Sequence, residues 1–278
     1  MRVTIIPNLR RTEAASLLAV VHNRLTALGA EVTVAKEEGA LPTSSAITAA
    51  LEGSDAAIAI GGDGTIVHVA KAAAAIGCPV LGINGGHLGF LAGMERDELA
   101  LLERFVQGDY AVEQRALLDI AVHTAEGEQH FLAMNEAVVS RGNLSRLVDV
   151  HITSAAGDVL TCRGDGVILA TPTGSTAYSL SAGGPVVDPA VECILLTPVC
   201  PHSLDSRPRL LPVDAVLSVQ ATAADEDTIF ITVDGEENIP LTPTDRVTVR
   251  RGAVSARLIR LNTATFYEVL QEKLAGRR

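Results

Sequence analysis

The residues with the clearest chemical potential fall in four short segments. Gly61-Gly62-Asp63-Gly64-Thr65 follows an apolar run that reads as a buried strand and opens a stretch that reads as a helix. At such a junction backbone N–H groups and the helix dipole can hold an anion, and glycines let the main chain approach a phosphate closely. The segment matches neither G-x-x-x-x-G-K-[ST] nor G-x-G-x-x-G. A carboxylate in its middle is useful beside a phosphate if Asp63 binds Mg²⁺ or takes a proton from an attacking hydroxyl. A tight turn capped by Asp is the plainer alternative.

The second segment, Asn84-Gly85-Gly86-His87-Leu88-Gly89-Phe90-Leu91, sits at the end of the next strand, where ligands bind in open α/β sheets. Asn84 and the glycines can wrap a ligand from a second side. His87 is left out of the catalytic set, since a single loop histidine is usually a surface residue, and Phe90 can equally pack between domains. In the third, Asn135-Glu136 interrupts the apolar run Phe131 to Val139 with two groups that are costly to bury unpaired. The pair can read a base edge and a ribose diol, Asn by donating and accepting, Glu by accepting two hydroxyl hydrogens; a bulge or strand end facing water explains it equally well.

The fourth segment runs from Arg163 to Pro185 and reads as turn, strand, hydroxyl-rich loop and helix start. Thr173, Ser175 and Thr176 are placed to cap that helix or donate to ligand oxygens. Capping alone needs one such residue, so a polar ligand site is favoured. A serine hydrolase is disfavoured, because Gly174-Ser175-Thr176 lacks the second glycine of G-x-S-x-G and no Asp/His order after it forms a triad beyond the bare presence of Asp188 and His202. The seven histidines never reach H-x-x-x-H spacing, so no metal ligands are assigned.

The elements that must position these segments follow from hydrophobic patterning. Strands are predicted at Val3–Ile6, Glu31–Val34, Ala56–Ile60 and Val80–Ile83, with helices at 12–28 (Leu17, Leu18, Val21, Leu25 and Leu28 on one face), 44–52, 67–76 and 95–106. This alternation predicts a Rossmann-like α/β domain with a parallel sheet over residues 1–110. From Tyr110 the runs become short and β-rich: 117–122, 131–140, 147–153, 167–170, 213–220, 229–233 and 246–250, with hairpin turns at 125–128 and 156–158. A β-sandwich-like domain over 111–263 is expected, and a closing helix at about 264–278 that can pack back onto the first domain.

Composition narrows the partners. The 278 residues are 47% hydrophobic and carry a net charge of −11, which would repel nucleic acid and anionic membrane surfaces. Five Phe, three Tyr and no Trp are too few for a base-stacking platform. The four cysteines (78, 162, 193, 200) show no C-x-x-C spacing and read as reduced thiols; with no signal-like N-terminus or 18-residue apolar run, a cytoplasmic protein is expected.

Taken together these segments resemble the NAD kinase family. GGDGT at 61–65 is shared with diacylglycerol-type lipid kinases and phosphofructokinases and by itself points only to phosphoryl transfer. NGGHLGFL at 84–91, NE at 135–136, GDG at 164–166 and TPTGSTAYSLSAGGP at 171–185 are similar to NAD kinases in particular, as are PHSLDSRP at 201–208 and VDGEE at 233–237. The resemblance implies Mg²⁺-dependent transfer (or with another divalent cation) of the ATP γ-phosphoryl group to the 2′-hydroxyl of the adenosine ribose of NAD. Asp63 would be the catalytic carboxylate, with Gly61, Gly62, Gly64, Thr65, Asn84 and Phe90 around the nucleotides. Asn135 and Glu136 would hold the adenosine part, and Thr173, Thr176, Ala177, Tyr178 and Ser181 would line the dinucleotide site. Asp165 would lie near the nicotinamide end, a contact that can come from a neighbouring subunit, which implies a homodimer or homotetramer with interfacial active sites. Arg163 matches a position where Arg goes with preference for NAD over NADH. The rivals are a lipid or sugar kinase on the same loop and a catalytically silent dinucleotide-binding regulator.

Overall fold

Alternation of buried strands with one-faced helices organises the first hundred residues. A computed structural model of the chain describes all residues except 38–39, 86–88, 143–146, 204, 224–228 and 276–278, so His87, Leu204 and the last three residues of the stretch expected as a closing helix lie outside the described residues. Strand β1 (Arg2–Pro7) is buried from Val3 onward. Helix α1 (Thr12–Ala27) buries Ala14, Leu17, Val21 and Leu25, spaced three and four apart, and Gly29 at φ 84° ends it; Leu18 and Leu28 are only partly buried. Then come β2 (Glu31–Val34), α2 (Ser44–Ala50), β3 (Ala56–Gly61), α3 (Asp63–Ala74) and β4 (Val80–Asn84). The strands pair in parallel in the order β2-β1-β3-β4, and β3 and β4 are buried throughout, as central strands covered on both faces must be.

Two helices differ from expectation. Helix α3 starts at Asp63 rather than Val67, because Gly62 is already its N-cap, and it stops at Ala74, ahead of Gly77 at φ 68° and Pro79. Its buried alanines allow α2 to approach closely enough for the Thr48 hydroxyl to donate to the Ala72 carbonyl at 3.1 Å. Glu95, expected in a helix, lies in β5 (Met94–Glu95), which pairs with the end of β4; the helix begins with a 3₁₀ turn at Leu99–Leu101 and continues as α4 (Leu102–Gln107).

The β-rich region contains β6 (Ala111–Thr124), β7 (Gly127–Ala133), β8 (Glu136–Arg141), β9 (Val148–Ser154), β10 (Gly157–Gly164) and β11 (Gly166–Ala170). After a 3₁₀ turn at Thr173–Thr176 and the short α5 (Tyr178–Ser181) come β12 (Cys193–Val199), β13 (Arg209–Pro212), β14 (Leu217–Ala223), β15 (Ile229–Val233) and β16 (Glu237–Leu241). The chain closes with β17 (Arg246–Arg260) and α6 (Phe266–Ala275). Strands β10, β12, β13 and β16 go beyond those that patterning predicts. The run at 131–140 is two strands divided at Met134-Asn135, the strand expected at 213–220 is displaced to 217–223 by a turn closed by Ala215 N–H to Pro212 O, and β17 extends ten residues past Arg250.

These strands form two layers. An antiparallel sheet runs β13-β12-β11-β8-β15-β16, and a second joins β10, β9, β14 and the first half of β17, with the β6–β7 hairpin. Inward residues from both, such as Val139, Leu169 and Ile231 from the first and Val150, Val219 and Val247 from the second, form one core, the β-sandwich arrangement. The chain divides into two compact units, Met1–Gln114 with Val254–Arg278, and Arg115–Ala253. In the first, the end of β17 pairs with β4 at Leu258 and Val80. No helix among the described residues is long and apolar enough to cross a membrane.

Candidate active site

In the first unit the C-terminal ends of β3 and β4 bring two of the four segments together, with Gly61 in register beside the buried Asn84. Asp63 is the first residue of α3, and no side chain caps that helix. Its carboxylate is held in place: the Phe90 N–H donates to Oδ2 at 3.0 Å and the Leu91 N–H to Oδ1 at 3.2 Å. Gly89 is required there, because a methyl group would overlap Asp63 Oδ1. The 89–92 loop is itself anchored by the Arg260 guanidinium, which donates to the Phe90 carbonyl at 3.0 Å and to the Ala92 carbonyl, and pairs with Glu113 at 3.1 Å. Thr65 is buried and its hydroxyl accepts from Asn8 Nδ2 at 2.9 Å, so it ties the loop after β1 to GGDGT. The Arg11 guanidinium lies about 3.5 Å from where a side chain on Gly62 would begin. Burial raises the carboxyl of Glu95, on β5, and the charges of Glu98, Asp97 and Asp63 add to that rise.

In the second unit the break between β7 and β8 is made by one distant carboxylate. Asp234 accepts the backbone N–H groups of Met134, Asn135 and Glu136 at 2.8, 2.8 and 2.9 Å, and its own N–H donates to the Glu136 carbonyl. Asp234 reaches them from a turn at φ 49°, the left-handed region that Asp and Asn enter more readily than most residues. The loop after β11 packs onto the same turn: Thr171 Oγ1 donates to the Met134 carbonyl at 2.6 Å, and Gly174 lies so close over the Asn135 backbone that any side chain would collide with it. Asn135, Glu136, Thr173, Thr176, Ala177 and Tyr178 are thereby gathered around one turn, with Ser181 one helical turn further on and exposed.

Glu136 is 7% exposed and its Oε2 has no hydrogen-bond partner. Burial, and then the negative charge of Asp234, push its carboxyl up to about 7, against a smaller lowering by the Tyr178 backbone N–H. The hydroxyls of the 173–176 turn do not cap α5: Ser175 is buried and exchanges hydrogen bonds with the Val187 backbone, and Thr176 Oγ1 donates to the Thr173 carbonyl, because the turn satisfies itself before the helix begins. Asp165 pairs with Arg141 at 2.9 Å, and Arg163, mostly exposed, lies 3.9 Å from Asp149 on the β9–β10 hairpin.

Sequence reasoning passed over Asn8, Arg11, Arg260, the role of Asp234, and Lys273 of α6, whose ammonium lies 3.3 Å from Asp63 Oδ2. Single cations carry no local pattern, and only the left-handed Asp234-Gly235 turn offered a signal. Among the described residues no three His, Cys, Asp or Glu side chains cluster to hold a metal ion.

A carboxylate fixed at the strand-to-helix junction of an α/β unit, in a chain that also has a β-sandwich unit, suits a phosphotransferase. The ATP-NAD kinase N-terminal domain matches residues 3–110 and the ATP-NAD kinase C-terminal domain residues 134–261. The chain is 45% identical over 224 residues to the NAD kinase of Symbiobacterium thermophilum (80% of this chain, 79% of that one). It is 37% identical over 282 residues to that of Caldanaerobacter subterraneus subsp. tengcongensis (99% of each). Among solved structures it is similar in fold to an NAD kinase from Archaeoglobus fulgidus in complex with ATP (TM-score 0.79, 24% identity, 99% of each chain). It is likewise similar to yeast NADH kinase complexed with NADH (TM-score 0.83, 24% identity, 99% and 87%). The chain belongs to the NAD kinase family.

Proposed function

We propose that this protein transfers the γ-phosphoryl group of MgATP to the 2′-hydroxyl of the adenosine ribose of NAD, with Asp63 as the base that takes the hydroxyl proton. The observation that carries this is the Asp63 carboxylate, fixed by the Phe90 and Leu91 N–H groups at the uncapped start of α3. The same helix start offers N–H groups to a phosphate, while two backbone hydrogen bonds leave carboxylate lone pairs free for a hydroxyl. Arg11 over Gly62 adds a cation to the phosphate side of the loop.

NAD is assigned to the Asn135–Glu136 turn and the 173–181 segment. The buried Glu136 Oε2 without a partner suits an acceptor that meets its hydroxyl donors only when ligand binds. Mg²⁺ normally keeps several waters and substrate phosphate oxygens as ligands, so in this reading it arrives on the triphosphate. Bound there, it would neutralise charge on the β- and γ-phosphates. Asp165 near the nicotinamide end, Arg163 as a determinant of preference for NAD over NADH, cytosolic residence and a homodimeric or homotetrameric assembly belong to the same reading and rest on the family resemblance.

The test is NADP formation by purified protein with NAD, MgCl₂ and ATP, beside Asp63→Asn and with NADH or polyphosphate substituted. Asp63→Asn should bind NAD and lose ~10²-fold or more of turnover, the usual share of a general base. Near-normal turnover in that variant would remove Asp63 from the mechanism.

A further inference from the structure

The GGDGT loop contains no cation, although a triphosphate reacting there concentrates negative charge beside a carboxylate. One cation does reach that carboxylate. Lys273, near the end of α6, places Nζ 3.3 Å from Asp63 Oδ2 and 4.5 Å from the centroid of the Phe90 ring. Phe90 is the residue whose N–H holds the same Oδ2. The helix is docked by an aromatic contact, Phe266 to Phe90, with ring centroids 6.2 Å apart. An ammonium over an aromatic face and against a carboxylate is attracted by both. The Lys273 and Asp63 side chains are 26% and 31% exposed, so the pair is open to an incoming ligand.

Reaction geometry gives this pair a use. A hydroxyl hydrogen-bonded to Asp63 at ~3 Å and poised ~3–3.5 Å from the phosphorus puts the transferring group within roughly 6 Å of the carboxylate. A flexible lysine anchored on that carboxylate can therefore touch it.

We infer that Lys273 is a further catalytic residue of the phosphoryl transfer, its ammonium resting on Asp63 in the free enzyme and moving onto the transferring phosphoryl group during reaction. The inference rests on the reading of Asp63 as base. The hydroxyl oxygen forms its bond to the γ-phosphorus as its proton passes to Asp63, and the bridging oxygen leaves with the electron pair on ADP. Once protonated, Asp63 is neutral and its hold on the ammonium collapses. The phosphoryl oxygens still carry charge and take the ammonium instead. The cation that P-loop enzymes place beside their phosphates is here carried by the last helix.

The experiment measures kcat, KM for MgATP and NAD affinity for Lys273→Met, Lys273→Arg and Asp63→Asn, with thermal melts of each. Methionine keeps an apolar stem against Phe90 and removes the charge with its N–H donors. Lys273→Met should lower kcat by roughly tenfold to a hundredfold, less than the ~10²–10³-fold of a desolvated oxyanion donor because this site is partly open. NAD affinity and the melt should stay near wild type, and Lys273→Arg should recover most of kcat. A wild-type kcat in Lys273→Met, or an equal loss in Lys273→Arg, would overturn the inference and leave Lys273 as a helix anchor. Should Asp63→Asn itself turn over normally, the base reading fails first, so the two failures are distinguishable.

Discussion

Glu136→Gln isolates the electrostatic cost of the turn that Asp234 organises. The folded protein raises the Glu136 carboxyl from 4.5 to about 7, first through burial and then through Asp234. A carboxyl raised on folding holds its proton more tightly in the native state than in the unfolded one. Folding is therefore penalised where the group ionises, fully above pH 7 and not at all well below 4.5. At about 1.4 kcal/mol per pH unit the full penalty is about 3 kcal/mol, and it has shrunk to about 1 kcal/mol by pH 5. Glutamine removes the ionisation and keeps the shape. In urea unfolding without nucleotide, Glu136→Gln should be about 3 kcal/mol more stable than wild type at pH 8 and about 1 kcal/mol more stable at pH 5. On the assignment of this turn to NAD, the same variant should bind NAD at least tenfold more weakly, because a carboxylate able to accept two hydroxyls becomes an amide with one acceptor oxygen. A gain that is absent at pH 8, or of one size at both pH values, would refute the electrostatic account. Unchanged NAD affinity would refute the assignment of the turn to NAD.

Other perturbations probe the supports of the two carboxylates. Asp234→Asn leaves the Met134, Asn135 and Glu136 N–H groups short of acceptors, so it should cost about 3 kcal/mol in denaturant unfolding and weaken NAD binding in calorimetry. Gly89→Ala pushes a methyl group against Asp63 Oδ1 and should cut kcat at least tenfold with NAD affinity unchanged in the same titration. Arg260→Met frees the Phe90 and Ala92 carbonyls and should lower kcat more than it raises either KM, read from initial rates. Burial holds the Cys78 thiol up at about 11, Cys162 and Cys193 are buried as well, and Cys200 is exposed; a thiol reagent at pH 8 should titrate one cysteine in the native protein and four after denaturation.

What the sequence reveals of this protein depends on how local each signal is. The GGDGT loop is legible because the apolar run Ala56–Ile60 and the glycines that follow specify a buried strand ending in a tight turn. Asn135-Glu136 is legible as a polar interruption, but its cause is not, since the carboxylate that breaks the strand lies about a hundred residues away at Asp234. Strands β12 and β16 contain Pro198 and Pro240, which weaken a strand pattern, and Arg250-Arg251-Gly252 reads as a stop although β17 continues through it. Arg11, Arg260 and Lys273 are ordinary surface-type residues in sequence, and only tertiary placement gives them partners in the loops around Asp63.

The first unit is interrupted: Met1–Gln114 is completed by Val254–Arg278, with all of Arg115–Ala253 synthesised in between. At ~5–20 residues per second, the ribosome takes roughly ten seconds to make the intervening segment. During that time the nascent parallel sheet lacks the strand end that meets Val80, and the loop holding Asp63 lacks Arg260 and Lys273. A chain that stalls or is cut in the second unit would keep the Phe90 and Leu91 N–H groups on Asp63 but lack Arg260 behind that loop and Lys273 against the carboxylate. On the reading of Asp63 as base, the supports around it would be complete only once the closing segment Val254–Arg278 has been made.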